Sequence, residues 1–447
     1  MNENTKILLI LLLAGALILS PYAFRIFQGN PYMINSEAYY NIRVSGDDVL
    51  QDRTMPFSIL NFFNQNNVIF NKIIPLFAGI LCVGLCLLIM KKHNISEKNT
   101  TAITLILVSS PIFLYTFLDL KYFSFTILLS LLAVYLIASK KHLLSAIPIV
   151  LIPFIDFYSS LIAIILIVLY ILLTAKNYKN YRIIIIFGIA SFILTILLNN
   201  YLGYSLTGIP IEKTRLITDV GAEVGFSFSS LILTLIGMIL LWDKGLKNLL
   251  VYVLILSLFG LSVFNTTLKA YVNFILVVYA GFAFVYLTRR KWSIQIIKKV
   301  TLLLIICSIM FTTILYSTKL ASTAPTPNYV DAFKFIKEQS LENEKVLSSM
   351  ENGYMIEYYS DRGAFIDEKT SIYEPKRLAL LNNLTTSRNL ERTEAILKEY
   401  SIRYIVIDDA YRQKLEADQG LLFLIENSQK FKEIFISEEV DVWMYTG

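Results

Sequence analysis

The 447 residues are 55% hydrophobic and only 17% charged, with a mean hydropathy of +0.59, which excludes an ordinary soluble domain: too few polar residues are present to cover the chain. The net charge of +6 does not mark a nucleic-acid binder, because the basic residues fall in short clusters between apolar runs, a pattern of membrane topology. Cys82, Cys86 and Cys307 all lie inside apolar stretches, which excludes a disulfide framework or thiolate metal site in the hydrophilic parts.

Apolar segments near the ~20 residues that cross a bilayer run over 7–27, 68–90, 101–118, 121–138, 143–155, 157–174, 183–202, 228–242, 249–264, 271–287 and 300–317. The expectation is a polytopic α-helical membrane protein of about 11 transmembrane helices, residues 1–317, with a soluble α/β domain over 318–447. The fifth segment is short and carries Pro148 and Pro153, so a tilted or re-entrant unit with the sixth is expected there. No small-residue cleavage site precedes Arg25, and the first segment reads as an uncleaved span.

Alternate connections are basic: Lys91, Lys92 and Lys98; Lys140 and Lys141; Lys176, Lys179 and Arg182; Lys244 and Lys247; Arg289 to Lys299. The positive-inside rule puts these in the cytoplasm, together with the N-terminus, and puts the tail outside the cell membrane. The opposite connections carry most of the acids and include two long loops, 28–67 and 203–227. Long loops on a rigid scaffold are where function concentrates. Both histidines, His93 and His142, fall on the basic side, so chemistry on the other face has to run on carboxylates.

Beyond Ala324-Pro325-Thr326-Pro327, a stiff linker, helical patterns over 328–339 and 388–400 alternate with strand-like runs at 345–349, 363–367, 403–408, 433–437 and 440–445. That alternation argues a small α/β domain.

The first long loop contains Asn35-Ser36-Glu37-Ala38-Tyr39-Tyr40-Asn41-Ile42-Arg43. Glu37 can bind a metal or take a proton, and Arg43 can hold a phosphate; the plainer reading is an interfacial helix anchored by its tyrosines. Asp119 and Lys121 share a very short connection beside the membrane, where ionisable residues are functional candidates, although a tight turn needs polar residues in any case. Asp156 reads as structural. In the second loop Arg215, Asp219 and Glu223 cluster, with the two acids one turn apart if the segment is helical. Lys269 adds a cation before the tenth segment. No phosphate-cradling Gly-Lys-Ser/Thr loop, zinc-protease helix or nucleophile elbow occurs, which excludes an ATP-driven pump or a membrane metalloprotease of those types.

Glu37-Ala38-Tyr39-Tyr40-Asn41-Ile42-Arg43 resembles the acidic-aromatic-Arg motif of GT-C membrane glycosyltransferases, especially the catalytic subunit of archaeal-type oligosaccharyltransferase. Thr218-Asp219-Val220-Gly221-Ala222-Glu223 is similar in placement to the family's late outer loop, Lys269 to an arginine that holds the lipid-linked phosphate, and Val346 to Tyr354 to the segment around its Trp-Trp-Asp-Tyr-Gly motif. Glu351 and Gly353 keep the acid and the glycine, while Ser349, Met350 and Asn352 replace the tryptophans and the tyrosine. The resemblance implies transfer of a sugar or oligosaccharide from a polyprenyl-phosphate-linked donor to a protein or glycan acceptor. It implies roles for the carboxylates Glu37 and Glu223; the need of such a transfer for acids and cations at the outer interface adds Asp119 as a third catalytic carboxylate, with Glu37 and Asp119 able to hold a divalent metal such as Mg or Mn, and Lys121 and Arg215 beside Lys269 for the phosphate. Tyr40, Arg43, Asp219 and Glu351 complete the expected binding residues. The many spans also allow a glycolipid flippase or transporter, and the altered tail motif allows a non-catalytic envelope scaffold.

Overall fold

A computed structural model describes residues 2–34, 36, 38–40, 68–174, 181–202, 216–217, 224–242, 246–415 and 420–447. The chain divides into two compact units, Met1–Gln28 with Gln51–Ala321, and Gly29–Leu50 with Ser322–Gly447.

The first unit is a bundle of apolar helices: α1 (Glu3–Phe27), α2 (Val68–Lys92), α3 (Glu97–Val108), α4 (Pro111–Leu118), α5 (Tyr122–Ala138), α6 (His142–Ile155), α7 (Phe157–Thr174), α8 (Arg182–Leu202), α9 (Phe228–Leu240), α10 (Leu246–Leu261), α11 (Thr266–Arg289) and α12 (Gln295–Ala321). Every apolar segment of the sequence falls on one of these helices or on the α3–α4 pair. Length separates them, however. Among the described residues five helices, α1, α2, α8, α11 and α12, are long and apolar enough to cross a membrane, or six if α3 and α4 form one bent span. The others are apolar but shorter.

The fifth apolar segment, where a tilted or re-entrant unit is expected, forms a continuous α6 with Pro148 and Pro153 inside it. The break is between α3 and α4, which meet at 62°. Pro111 is the first residue of α4, and Ser110 before it is extended, with φ −78° and ψ 130°. A residue preceding proline is pushed out of the helical region by the pyrrolidine ring, which ends α3 and restarts the chain in a new direction.

α11 is the central helix: 61% of its span is buried, against 28–39% for the other four long ones. Asn265 caps it by accepting from the Leu268 N–H at 2.8 Å. Glycines let two neighbours approach its backbone. A Cβ on Gly281 would stand 2.8 Å from Ile103 Cα in α3, and one on Gly237 in α9 would stand 2.0 Å from the Tyr279 carbonyl oxygen. Close backbone approach through small residues is a principal way helices pack where no water drives them together. Gly281→Ala is therefore expected to cost about 1–3 kcal/mol by overpacking, read as a lower unfolding temperature of the purified protein in detergent; an unchanged transition would show that the α3–α11 contact yields freely.

In the second unit, α13 (Pro327–Gln339), β1 (Lys345–Leu347), α14 (Gly353–Ser360), α15 (Pro375–Thr386), α16 (Leu390–Glu399), β2 (Ile402–Asp408), α17 (Gly420–Asn427), β3 (Phe431–Ile436) and β4 (Val440–Tyr445) form an α/β fold. The sheet order is β1-β2-β4-β3, with β1 parallel to β2 and the remaining pairs antiparallel. β2 is central, and Ile405 and Ile407 enter a core with Leu347, Phe365, Leu397 and Leu421. The strand expected at 363–367 is reduced to a single bridge, Ala364 to Val346. Gly420 has φ +73°, and a Cβ there would meet the Thr385 carbonyl oxygen at 1.7 Å, so that turn requires glycine.

Candidate active site

Among the described residues, the charged side chains fully buried in the bundle are Arg25, Asp119, Lys121 and Lys269, each no more than 1% exposed. Burying a charge in an apolar bundle is costly, which makes such residues the candidates for a functional site. Contacts draw their neighbourhoods together: Tyr22 of α1 donates to Asp119, and Tyr271, two residues after Lys269, donates from its phenol to Thr126 Oγ1 in α5, five residues after Lys121, at 2.9 Å. Arg25 is in the last turn of α1, Asp119 and Lys121 lie between α4 and α5, and Lys269 is in the first turn of α11.

Each cation is anchored on a backbone carbonyl. Arg25 Nη1 donates to Ala321 O at 3.1 Å, Lys121 Nζ to Tyr115 O at 2.6 Å, and Lys269 Nζ to Val224 O at 2.9 Å. Lys121 Nζ also stands 3.2 Å from the centroid of the Tyr115 ring, an arrangement stabilised by the ring quadrupole.

Asp119 follows directly from the helix break: α4 is only eight residues long and ends at Leu118, delivering Asp119 as its C-cap. The Tyr22 phenol of α1 donates to Asp119 Oδ1. Lys72, in the first turns of α2, places Nζ 4.4 Å from the Tyr22 ring centroid and lies within electrostatic reach of both Asp119 and Arg25. The carboxylate thus sits on a phenol donor beside two cations.

Tyr22, Arg25 and Lys72 escaped the sequence reading because they fall inside or at the edge of apolar runs. One signal marks the two cations in retrospect: they flank apolar segments on the side that the sequence reading assigns opposite the lysine-rich loops, against the positive-inside pattern. Asp156 has the structural role expected of it, accepting from Tyr158 N at 3.1 Å and Ser159 Oγ at 2.5 Å to start α7.

Of the other predicted residues, Glu37, Arg43, Arg215, Asp219 and Glu223 lie outside the described residues. Val224, next after Glu223, is the residue whose carbonyl Lys269 holds, and Phe226 N donates to Leu216 O at 2.7 Å, tying the two ends of that segment together. No group of three or more His, Cys, Asp or Glu side chains forms a metal site among the described residues. A divalent ion needs several oxygen ligands; Asp119 supplies one carboxylate, and Glu37, the other expected ligand, lies outside the described residues.

Tyr40 and Glu351 belong to the second unit. Tyr40 is buried, its ring centroid 4.9 Å from that of Tyr354. Glu351 lies in the short turn Met350–Asn352 and accepts from Lys414 Nζ at 2.7 Å. Burial pushes the Glu351 carboxyl up, but the Lys414 bond and charge outweigh it and hold it below the usual value. This pair's contribution to stability is present above the ordinary Glu pKa and lost as pH falls through the lowered one. The neighbouring Asn352 is fixed differently: its Nδ2 donates to buried Asp408 Oδ2 at 2.7 Å, which also accepts from the Tyr329 phenol at 3.1 Å, while Tyr411 N donates to Asp408 Oδ1 at 2.6 Å. Burial and the Asp408 charge push the Tyr329 phenol up, keeping it a donor at any physiological pH. Asp408→Ala strands three donors and is expected to cost about 3 kcal/mol or more, whereas Glu351→Gln breaks an exposed pair worth about 1 kcal/mol at most. Thermal unfolding of the two variants should separate clearly; equal transitions would refute this ranking.

No protein-family model and no curated protein matches the sequence. Solved structures do match. The apo oligosaccharyltransferase of Archaeoglobus fulgidus superposes with a TM-score of 0.58 at 12% identity, covering 90% of this chain and 69% of that one. ArnT from Cupriavidus metallidurans, solved bound to undecaprenyl phosphate, gives 0.55 at 12% identity over 99% of this chain and 98% of its own. The chain carries the GT-C glycosyltransferase fold. Arabinofuranosyltransferase AftD from Mycobacteria, with a TM-score of 0.55 at 13% identity, has the same GT-C architecture over 99% of this chain, which spans 42% of AftD's length. At these identities the likeness is one of fold, and the GT-C resemblance read from the loop and tail motifs agrees with it.

Proposed function

We propose that this protein is a membrane glycosyltransferase that moves a sugar from a polyprenyl-phosphate-linked donor to an acceptor at the extracytoplasmic face. The observation that carries the reading is the set of carbonyl-anchored buried cations, Arg25, Lys121 and Lys269, at the bundle end that also holds Asp119. A lipid-linked sugar keeps its prenyl chain in the bilayer and its phosphate at the boundary, and a phosphate that departs with a negative charge is stabilised by preorganised cations. The three GT-C neighbours, an oligosaccharyltransferase, ArnT and an arabinofuranosyltransferase, support a transferase of this class.

In the proposed reaction the acceptor hydroxyl or amide attacks the anomeric carbon, the bond from that carbon to the phosphate oxygen breaks, and the polyprenyl phosphate leaves with the electron pair. Lys121, Lys269 and Arg215 take up the developing charge, and Asp119, with Glu37 and Glu223, receives the acceptor proton. Tyr40, Arg43 and Asp219 contribute to substrate binding, and the unit bearing Glu351 selects the acceptor. The eleven-span topology, with the N-terminus in the cytoplasm and the tail outside, belongs to the same reading.

The test is transfer from a radiolabelled polyprenyl-phosphate sugar in membranes containing the protein. The Glu37→Ala, Asp119→Ala double variant should lose it; undiminished transfer would sink the reading. Accumulation of sugar lipid inside vesicles without covalent product would favour a flippase.

A further inference from the structure

The break between α3 and α4 is held by side chains from two other helices. Ser110, the extended residue at the break, donates from Oγ to Asn273 Oδ1 in α11 at 3.1 Å. Thr313 in α12 aims Oγ1 at the Ser109 carbonyl oxygen at 2.5 Å, sharing the hydroxyl with its own helix at Ile309 O, 2.8 Å. All three side chains are buried: Ser110 is 6% exposed, Asn273 and Thr313 3% each. Asn273 Nδ2 has no partner among the described residues. An amide half-satisfied in an apolar bundle costs about 1–3 kcal/mol, and polar residues so placed are functional by default. Asn273 is also one helical turn beyond Lys269 on the same face of α11.

α4 carries the consequence. Its eight residues span ~12 Å at 1.5 Å per residue. A 10° change at the break therefore moves the far end of α4, where Asp119 and Lys121 begin, by ~2 Å. Misplacement of a reacting group by ~1 Å costs on the order of a hundredfold in rate. We propose that Asn273 and Thr313 are positioning residues that set the angle at Ser109–Pro111 and thereby hold Asp119 and Lys121 in register with Lys269. The inference rests on the transferase reading for its consequence in rate, and on geometry alone for the placement of Asp119.

The experiment compares the wild type with Asn273→Leu, which keeps the volume and removes the amide, and with Thr313→Val, each purified in lipid nanodiscs. Both variants are expected to lower kcat for sugar transfer at least tenfold, while the separate single variants Ser110→Thr and Thr313→Ser, which keep the hydroxyls, stay within about threefold of wild type. A readout independent of transfer uses Asp119→Cys in a background with Cys82, Cys86 and Cys307 replaced by Ala. Maleimide labelling should be slow with Asn273 in place and at least tenfold faster with Asn273→Leu or Thr313→Val. Unchanged labelling in both variants overturns the proposal whatever kcat does, because Asp119 has then not moved. Faster labelling with kcat unchanged overturns it too. If the wild type transfers no sugar, the transferase reading falls, and the labelling comparison still decides whether these residues position Asp119.

Discussion

Asp119→Asn is expected to lower sugar transfer by about 10²–10⁴-fold, the range for loss of a positioned acid or base, with little change in unfolding temperature. Asn keeps the shape of Asp and an oxygen for the Tyr22 phenol, so the α1–α4 contact survives. What disappears is the charge beside Lys72 and the capacity to take a proton. The measurement is single-turnover transfer with saturating donor, so that chemistry and not binding is observed. A loss smaller than tenfold would remove Asp119 from the chemical step. Unfolding well below wild type would instead show that the carboxylate is chiefly a counter-charge for buried cations.

Replacing the two buried lysines tests the other half of the site. Lys121→Gln and Lys269→Gln are each expected to reduce kcat/KM by about 10²–10³-fold for a polyprenyl-phosphate donor, as for the removal of one charge-stabilising donor. The Gln amide can still donate to Tyr115 O or Val224 O, so the anchoring contact is kept while the charge is lost. Inorganic phosphate or polyprenyl phosphate added as inhibitor gives a second readout: its inhibition constant should rise in the same variants, because the product that leaves binds the same cations. Variants with normal kcat/KM and normal product inhibition would place the phosphate elsewhere, and the buried lysines would then be packing devices whose stems cover apolar surface.

The bundle was legible because lipid-facing helices are apolar around their circumference, and runs such as 68–90 and 271–287 cannot be anything else. The break was not. Pro148 and Pro153 look more disruptive than Pro111, yet the outcome turned on Ser110 being extended and on Asn273 and Thr313 arriving from 163 and 204 residues away to hold the loosened backbone. Asp119, Lys121 and Lys269 could be picked out as charges beside apolar runs. Arg25 and Lys72 could not, since a cation at the end of a span usually reaches out to the interface, and only the packing of α1 against α4 and α12 shows that Arg25 is turned inward. In the tail, β2 and β4 were clear as short runs rich in β-branched and aromatic residues, while 363–367, equally strand-like in composition, makes a single bridge, Ala364 to Val346.

The junction of α1 with α12 bears on how the protein is made. Ser20 Oγ donates to Ser317 Oγ at 3.1 Å, and Arg25 reaches the carbonyl of Ala321, so these contacts of α1 are completed by α12, nearly 300 residues later in the chain. At the ~5–20 residues per second of synthesis, α1 waits on the order of 15 seconds to a minute before Arg25 can be seated. A chain stopped before Ala321 holds Asp119 and both lysines but not the Ala321 carbonyl to which Arg25 donates, so the polar end of the bundle becomes complete only after nearly all of the membrane unit has been inserted.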